Sequence, residues 1–364
     1  MGPKLGGHDP FRRALRHPAP PQQIGRLTVS LRPVLARLAA GERLAETEAE
    51  EAFGTVMAGE ATPAQIAAMV MAMRVRGETV AEMTGAVRAM RARMVSVQAP
   101  AGAIDIVGTG GDGAGTLNIS TAAALVVAAA GVPVAKHGNR AQSSRSGTAD
   151  ALATLGVNLD VPLDRLPDVF AAAGMAFLMA QRHHAALRHA AGPRVELGTR
   201  TVFNLLGPLA NPAGVRRQLT GAFSAEWLRP MAETLARLGT ERAWLVHGQG
   251  LDELCLAGPS QVVELRDGRI RAFEVSPEQA GLPRAPNEAL RGGEPAENAA
   301  ALLALLDGAP GAYRDCVLLN AAAALVVAGK HDDLAPAAVD AARAIDSGAA
   351  RTVLDRLRVA TAPQ

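Results

Sequence analysis

Apolar residues recur at helical spacing through the first hundred residues of the chain. Between about residues 28 and 97 they form several short amphipathic segments, without the strict alternation of a strand. Two start signals are clear: Thr62–Gln65 (TPAQ) and Thr79–Glu82 (TVAE) each place Gln or Glu three residues after a capping threonine. Pro63 suits a first helical position, and Gly77 is placed to end that helix. We predict a bundle of short helices.

Methionines occupy several apolar positions of these helices. A cofactor-binding surface is one interpretation, but flexible thioethers more often fill gaps in a core, and we expect core packing. The residues concerned are Met69, Met73, Met83, Met90 and Met94.

The pattern changes after residue 98. Short apolar runs typical of strands occur at 103–107, 132–137, 243–248 and 262–270, and helical stretches such as 121–131 lie between them. Strands that alternate with helices predict an α/β domain with a mainly parallel central sheet. The proline-rich stretch 276–296 is predicted to be a long loop, and the end of the chain, residues 299–357, to be helical again.

These patterns divide the chain into three parts. Residues 1–27 are predicted to be a flexible tail, and residues 28–97 a small all-helical domain joined by helices from about 190–215. Residues 98–364 are predicted to form the larger α/β domain.

Composition narrows the class of protein. The chain is 49% hydrophobic and only 3% aromatic, so Ala, Leu and Val must build its core. With 37 Lys and Arg against 35 Asp and Glu, it has no electrostatic footprint for nucleic acid or an anionic membrane. Its only cysteines, Cys255 and Cys316, make no disulfide framework, and no apolar run suits a secretory signal or a membrane span. We expect a soluble, cytoplasmic protein.

A glycine-dense turn follows the first predicted strand. Gly108, Gly110 and Gly113 match the dinucleotide-binding spacing G-x-G-x-x-G. That fold also needs an acidic residue after the next strand, where this chain has Lys136 and His137. No Gly-Lys-Ser/Thr follows the glycines, so a Walker-type loop is not indicated either. A phosphate-binding loop is favoured over an NAD site, and a purely structural turn remains an alternative.

Two groups of hydrogen-bond donors accompany the glycines. One lies at the start of a predicted helix, whose free N–H groups attract anions, and the other follows the next strand. Parallel strands bring both groups to the carboxyl edge of the sheet, which predicts a site for several phosphate oxygens. The first group is Thr116, Asn118, Ser120 and Thr121, and the second is Lys136, Arg140, Ser143 and Ser144.

Four segments together resemble the anthranilate phosphoribosyltransferase family: residues 108–121, 136–156, 194–213 and 250–254. Their order and spacing are kept from about residue 30 to 360. The resemblance implies transfer of a phosphoribosyl group from 5-phosphoribosyl 1-pyrophosphate (PRPP) to anthranilate in tryptophan biosynthesis, with Mg²⁺ as cofactor. It also implies a homodimer joined through the helical domain, and two domains that close on the substrates.

The resemblance also implies roles for individual residues. Anthranilate is expected at Gly108, Asn139 and Arg194. Magnesium is expected at Ser120, Asp252 and Glu253. PRPP is expected at Gly108, Gly111, Asp112, Thr116, Asn118, Ile119, Ser120, Thr121, Lys136, His137, Gly138, Asn139, Arg140, Ala141, Gln142, Ser143, Ser144 and Thr148.

The sequence departs from the family pattern at several positions. The family often has lysine at Arg145 and serine at Thr148 and Cys255, and these differences bear on how the substrates are bound. Cys255 is expected to be a packed thiol and His137 to shape the pocket, with a proton-carrying role as its alternative. The spacing of His183, His184 and His189 does not favour a metal site. The rival functions are a pyrimidine nucleoside phosphorylase, an NAD enzyme and a nucleic-acid binder without catalytic activity.

Overall fold

A computed structural model describes residues 1–2, 30–140 and 147–363. The N-terminal helices are α1 (Leu31–Ala39), α2 (Glu46–Met57), α3 (Pro63–Arg76) and α4 (Val80–Arg91). Both predicted capping boxes are present: Thr62 Oγ1 accepts from the Gln65 backbone N–H at 3.3 Å, and Gln65 Oε1 accepts from the Thr62 N–H at 2.9 Å. Thr79 and Glu82 make the same reciprocal pair.

Seven strands form one sheet in the described part of the chain: β1 (Ile104–Gly108), β2 (Val134–Gly138), β3 (Met175–Met179), β4 (Arg217–Gly221), β5 (Arg242–His247), β6 (Ser260–Arg266) and β7 (Arg269–Val275). Their order is β3-β2-β1-β4-β5-β6-β7. The first five pair in parallel and the last two are antiparallel. The predicted fold class, helices followed by a mainly parallel α/β domain, is confirmed.

Helices cover the sheet and complete the bundle. They are α5 (Ile119–Ala129), α6 (Thr148–Thr154), α7 (Leu166–Ala173), α8 (Ala180–His183), α9 (Arg188–Leu197), α10 (Phe203–Leu206), α11 (Leu228–Arg237), α12 (Pro295–Leu306), α13 (Ala312–Ala328), α14 (Leu334–Asp346) and α15 (Ala349–Thr361). The predicted C-terminal helices are therefore confirmed. Among the described residues, no helix is long and apolar enough to cross a membrane.

The core consists of two hydrophobic clusters. One joins β1, β2 and β3 to α5, α13 and α15. The other joins α1–α4 to α9, α10 and α11 and reaches the sheet. Along β5, Ala243 and Leu245 belong to the second cluster while Trp244 and Val246 belong to the first. Because successive side chains of a strand point to opposite faces, the bundle covers one face of this part of the sheet. The methionines Met69, Met73, Met83 and Met90 are buried in the second cluster, so the core-packing prediction is confirmed for them, whereas Met94 is half-buried and belongs to neither cluster.

The prediction of one strand at 262–270 is wrong. The chain turns there, and β6 pairs with β7 as an antiparallel hairpin. Asp267 and Gly268, at the turn, have φ of 50° and 76°. Two successive positive φ angles define the tight hairpin turn that Asp-Gly favours. The stretch 276–296 is also not a uniform loop, because it holds short 3-10 turns at Pro277–Ala280 and Asn287–Leu290 and the first residues of α12.

Candidate active site at the carboxyl edge of the sheet

The glycine loop leaves β1 at the point where the strand order reverses. β2 lies on one side of β1 and β4 on the other, and ligands of such sheets bind in the crevice that opens here, beyond the carboxyl ends of the strands. The Thr109 N–H donates to Gly221 O at 2.9 Å, and the Phe223 N–H donates to Thr109 Oγ1 at 2.9 Å. The loop is therefore fastened to the end of β4 before it opens toward α5.

The acidic turn after β5 lies directly against this crevice. A Cβ on Gly221 would fall 1.4 Å from Asp252 O, and a Cβ on Gly108 would fall 2.4 Å from Asp252 Oδ2. Glycine at both strand ends leaves room for Asp252, whose backbone lies against Gly221 and whose carboxylate lies against Gly108. Asp252 Oδ2 accepts a hydrogen bond from the Gly110 N–H at 2.7 Å, which ties the acidic turn to the glycine loop.

The start of α5 meets the second carboxylate. Glu253 Oε1 accepts from the Ser120 N–H at 3.2 Å, an anion at a helix N-terminus. The buried Lys136, from β2, donates through Nζ to Ser120 Oγ at 3.2 Å and also to Ile106 O. The structure thus brings Ser120, Asp252 and Glu253 together, with one lysine beside them.

The electrostatics of this cluster favour an added cation. Burial, followed by repulsion from Asp112, raises the pKa of Asp252. Burial, followed by repulsion from Asp252, raises the pKa of Glu253. Lys136 has its pKa lowered by burial, which its acidic neighbours oppose. The carboxylates crowd together with too little positive charge, and hard oxygen ligands of this kind suit Mg²⁺.

The protein alone supplies an incomplete set of metal ligands. Within the described residues, no group of three or more His, Cys, Asp and Glu side chains is arranged to hold a metal ion. Mg²⁺ commonly keeps several waters and takes one or two carboxylates together with substrate phosphates. A hydroxyl and two carboxylates fit that requirement.

Beneath the loop lies a buried carboxylate that the sequence analysis did not single out. Asp105, on β1, accepts from the His137 N–H at 3.1 Å and from Asn211 Nδ2 at 2.7 Å. Asn211 Nδ2 also donates to Ala135 O at 2.8 Å. Burial raises the pKa of Asp105 to about 6, while Lys136 and these hydrogen bonds oppose the rise. This network sets the position of β2 and hence of Lys136.

His137 is a neutral ring in a buried pocket. Its Nδ1 lies 3.2 Å from Gly207 O, so the proton is on Nδ1. Burial, followed by the nearby His184 and His183, lowers the pKa of His137 to about 3. The rings of His137 and His184 lie 5.2 Å apart. A ring this weakly basic suits the pocket-shaping interpretation better than proton transfer.

His183 and His184 are engaged with backbone carbonyls. His183 Nδ1 lies 2.6 Å from Val95 O, and His184 Nε2 lies 2.9 Å from Ala210 O. His183 ends α8 and His184 follows it, and each ring joins this part of the chain to another segment, which gives both residues a structural role.

The residues expected to hold anthranilate come from three elements. Arg194 is half-buried on α9, with its guanidinium carbon 5.5 Å from the Phe203 ring centroid. Burial lowers the pKa of Arg194. Asn139 follows β2, where its Oδ1 accepts from the Arg140 N–H at 2.9 Å. Gly108 ends β1.

Thr148, which follows the second donor group in the sequence, meets the first group through a threonine pair. Thr121 Oγ1 lies 3.3 Å from Thr148 Oγ1, which joins α5 to α6. Arg140 Nη1 lies 3.3 Å from Asp150. A Cβ on Gly138 would fall 2.7 Å from Phe177 Cε2, so glycine is needed there too. Ala141, Gln142, Ser143, Ser144 and Arg145 lie outside the described residues.

Two groups of residues beside the glycine loop were not predicted from the sequence. Arg200 donates to Gly111 O, and its guanidinium carbon lies 4.3 Å from the Phe223 ring centroid. On the other side, residues 290–293 run along the loop, where the Leu117 N–H donates to Leu290 O at 2.9 Å. Gly292 and Gly293, just before α12, were the signal in the sequence for this segment.

Cys255, which follows Leu254 in the sequence, is a fully buried, packed thiol, as predicted.

Comparison with known proteins agrees with this geometry. Residues 32–94 match the helical bundle domain of the glycosyl transferase family, and residues 100–351 match its a/b domain. An anthranilate phosphoribosyltransferase of Rhodospirillum rubrum is 60% identical over 325 residues, which is 89% of this chain and 94% of that protein. The enzyme of Parvibaculum lavamentivorans is 61% identical over 329 residues, 90% of this chain and 96% of that protein.

Solved structures give the same result. Anthranilate phosphoribosyltransferase from Thermus thermophilus superposes with a TM-score of 0.86 at 47% identity, covering 90% of this chain and 98% of that one. The Saccharomyces cerevisiae enzyme in complex with PRPP and Mg has a TM-score of 0.83 at 27% identity, covering 90% and 96%. The chain belongs to the anthranilate phosphoribosyltransferase family.

Proposed function

We infer that this chain transfers the phosphoribosyl group of PRPP to the amine of anthranilate, giving N-(5-phosphoribosyl)anthranilate and pyrophosphate in tryptophan biosynthesis. One observation carries this: the glycine loop, the N-terminus of α5, Lys136 and the Asp252–Glu253 pair meet at one crevice of the sheet. That crevice combines donors for phosphate oxygens with ligands for a hard cation.

The reaction breaks the bond between C1 of the ribose and the pyrophosphate oxygen and forms a bond from C1 to the amine nitrogen. The amine loses a proton to solvent. Positive charge develops on the sugar while negative charge develops on the pyrophosphate, so fixed donors near the pyrophosphate lower the barrier. We propose that backbone N–H groups of the glycine loop and the Lys136 side chain serve that role.

Ser120, Asp252 and Glu253 would hold Mg²⁺, which supplies positive charge to the pyrophosphate. The yeast relative was solved with PRPP and Mg. The reaction needs no side chain that acts as a base, because the aromatic amine of anthranilate is already neutral near pH 7. The neutral state of His137 agrees with this.

Anthranilate is proposed to lie at Gly108, Asn139 and Arg194. A guanidinium can hold a carboxylate through two parallel hydrogen bonds and so keep the amine in line with C1. The yeast enzyme was also solved in complex with 4-fluoroanthranilate. The remaining PRPP assignments, including those outside the described residues, stay part of this proposal.

The test is to mix anthranilate, PRPP and Mg²⁺ with the purified protein and follow the loss of anthranilate fluorescence. The Asp252→Ala, Glu253→Ala double variant is the inactive control. A nucleoside phosphorylase would instead consume a pyrimidine nucleoside and inorganic phosphate. Turnover of that pair, with no change in anthranilate fluorescence, would overturn the proposal.

The quaternary structure and location are proposals of the same kind. A homodimer through the helical domain is supported by Val75 on α3 and Val195 on α9, which are 82% and 81% exposed. Sedimentation that finds only monomers would contradict it.

Both cysteines are free and buried, which suits the reducing cytoplasm. We also propose the domain division 28–97, with helices of 190–215, and 98–364, supported by the two hydrophobic clusters.

A further inference from the structure

Asn298, in the first turn of α12, is buried beside the glycine loop with 1% of its surface exposed. Its Oδ1 accepts from the Gly293 N–H at 2.8 Å. A backbone N–H can only donate, so the oxygen end of this amide must face Gly293. Gly293 is itself held in place, because the neighbouring Gly292 N–H donates to Gly115 O at 2.8 Å. The orientation of the Asn298 amide is therefore fixed by the backbone.

The nitrogen end of that amide faces Asn118. Asn298 Nδ2 lies 3.2 Å from Asn118 Oδ1. Since an NH₂ group needs an acceptor, Asn118 must present its oxygen here and its own NH₂ group on the other side of the planar amide. Asn118 is the N-cap residue of α5, yet its side chain makes no capping bond with that helix. Its backbone oxygen accepts from Tyr313 OH at 3.2 Å, so α13 also holds it.

We propose that Asn298 is a positioning residue that turns Asn118 so that its NH₂ group, and not its carbonyl oxygen, faces the phosphates of PRPP. This rests on the proposed function, in which Asn118 contacts PRPP. A phosphate oxygen accepts from an NH₂ group, whereas a carbonyl oxygen in its place repels the anion. The two hydrogen bonds that connect Gly293, Asn298 and Asn118 thus decide whether the partly positive NH₂ group or the partly negative oxygen of Asn118 faces the substrate.

The experiment measures PRPP binding by calorimetry with Mg²⁺ present and anthranilate absent, for a double-mutant cycle of Asn118→Ala and Asn298→Ala. In the native background, Asn298→Ala is expected to weaken PRPP binding about ten-fold, the scale of one hydrogen bond to a charged group. In the Asn118→Ala background the same change is expected to alter binding by less than about two-fold, because Asn298 acts through Asn118. Equal losses in the two backgrounds would overturn the proposal.

The Asn298→Asp variant distinguishes an effect on the orientation of the Asn118 amide from a general effect on the stability of the fold. The carboxylate still accepts from Gly293, but it also accepts from Asn118, whose amide must turn its oxygen toward the phosphates. PRPP binding is expected to weaken about 100-fold, more than for Asn298→Ala. Asn298→Asp in the Asn118→Ala background measures the through-space effect of the new charge alone. If Asn298 only supports the fold, the aspartate variant is the milder one, and the proposal is wrong.

Leu302→Ala is the matched stability control, since Leu302 is fully buried in the same helix. It is expected to lower the unfolding temperature at least as much as Asn298→Ala while leaving PRPP binding unchanged. A native protein that binds PRPP but leaves anthranilate unconsumed would contradict the proposed function, while the binding cycle would still decide the role of Asn298. A native protein that does not bind PRPP would overturn both.

Discussion

The backbone oxygen of Asp252 lies 1.4 Å from the point where a Cβ on Gly221 would stand. No side chain fits at the end of β4 while the acidic turn keeps its place. The position of the carboxylate pair therefore depends on the absence of a side chain on a neighbouring strand, as well as on the hydrogen bonds to Gly110 and Ser120.

Gly221→Ala is expected to displace the acidic turn and lower kcat/KM for PRPP about 100-fold, because misplacement by about 1 Å costs that much when positioning drives the rate. The Mg²⁺ concentration needed for half-maximal rate is expected to rise as well. Gly192→Ala is the control, since nothing lies within 4 Å of that position on α9. A Gly221→Ala enzyme with native Mg²⁺ dependence would contradict this account.

The Asp252→Asn, Glu253→Gln double variant is expected to be inactive yet more stable than the native protein when Mg²⁺ is removed with EDTA. Two crowded, buried negative charges cost folding free energy, and neutral amides of the same shape remove that cost. We expect the unfolding temperature to rise by about 3–6 °C. Glu60→Gln, at an exposed position, should change nothing. A lower unfolding temperature for the double variant would count against the charge argument.

Arg194→Ala is expected to lower kcat/KM for anthranilate about 100-fold, the scale of a lost two-point contact to a carboxylate. The dissociation constant of PRPP should stay near its native value. Arg194→Lys keeps the charge but loses the planar fork, so only part of the activity should remain. Arg188→Ala, at an exposed position of the same helix, is the control. Steady-state constants for anthranilate that do not change in Arg194→Ala would remove Arg194 from the site.

Acid is expected to destabilise the protein through His184. Burial lowers the pKa of His184 to about 4, from the 6.5 of an ordinary imidazole. The unfolded chain therefore binds a proton that the folded chain does not, and stability is lost as the pH falls from about 6.5 toward 4. At about pH 5 this group accounts for about 2 kcal/mol of the loss.

His184→Gln keeps a donor for Ala210 O and does not titrate. Denaturant unfolding at about pH 7.5 and pH 5 should show a smaller loss of unfolding free energy for this variant than for the native protein. Equal losses for the two proteins would show that another group is responsible.

Local chemistry made part of the structure predictable. The capping box at Thr62 and Gln65 and the donors at the start of α5 depend on residues a few positions apart, so their spacing is visible in the sequence. The Asp267–Gly268 dipeptide is also a turn signal in the sequence. It was overlooked because residues 262–270 were interpreted as one continuous strand. The strands β3 and β4 were not singled out, because β3 continues the apolar stretch of α7 and β4 (RQLTG) is largely polar.

The remaining features depend on residues far apart in the sequence. Asp105 meets Asn211, and Gly115 meets Gly292, through contacts that only the strand order and the packing of α12 create. A buried asparagine such as Asn298 carries no pattern that distinguishes it from one in a surface turn. The family resemblance named Ser120, Asp252 and Glu253, which meet at the crevice, but not the residues that hold them in place.

The run of residues 290–293 along the glycine loop has a consequence during protein synthesis. The loop and α5 leave the ribosome long before Leu290 and Asn298 do, and they lack these neighbours until then. A nascent chain stalled before α12 should hold the glycine loop in an unfinished form that does not capture PRPP. Substrate capture would then begin only when nearly the whole polypeptide has emerged.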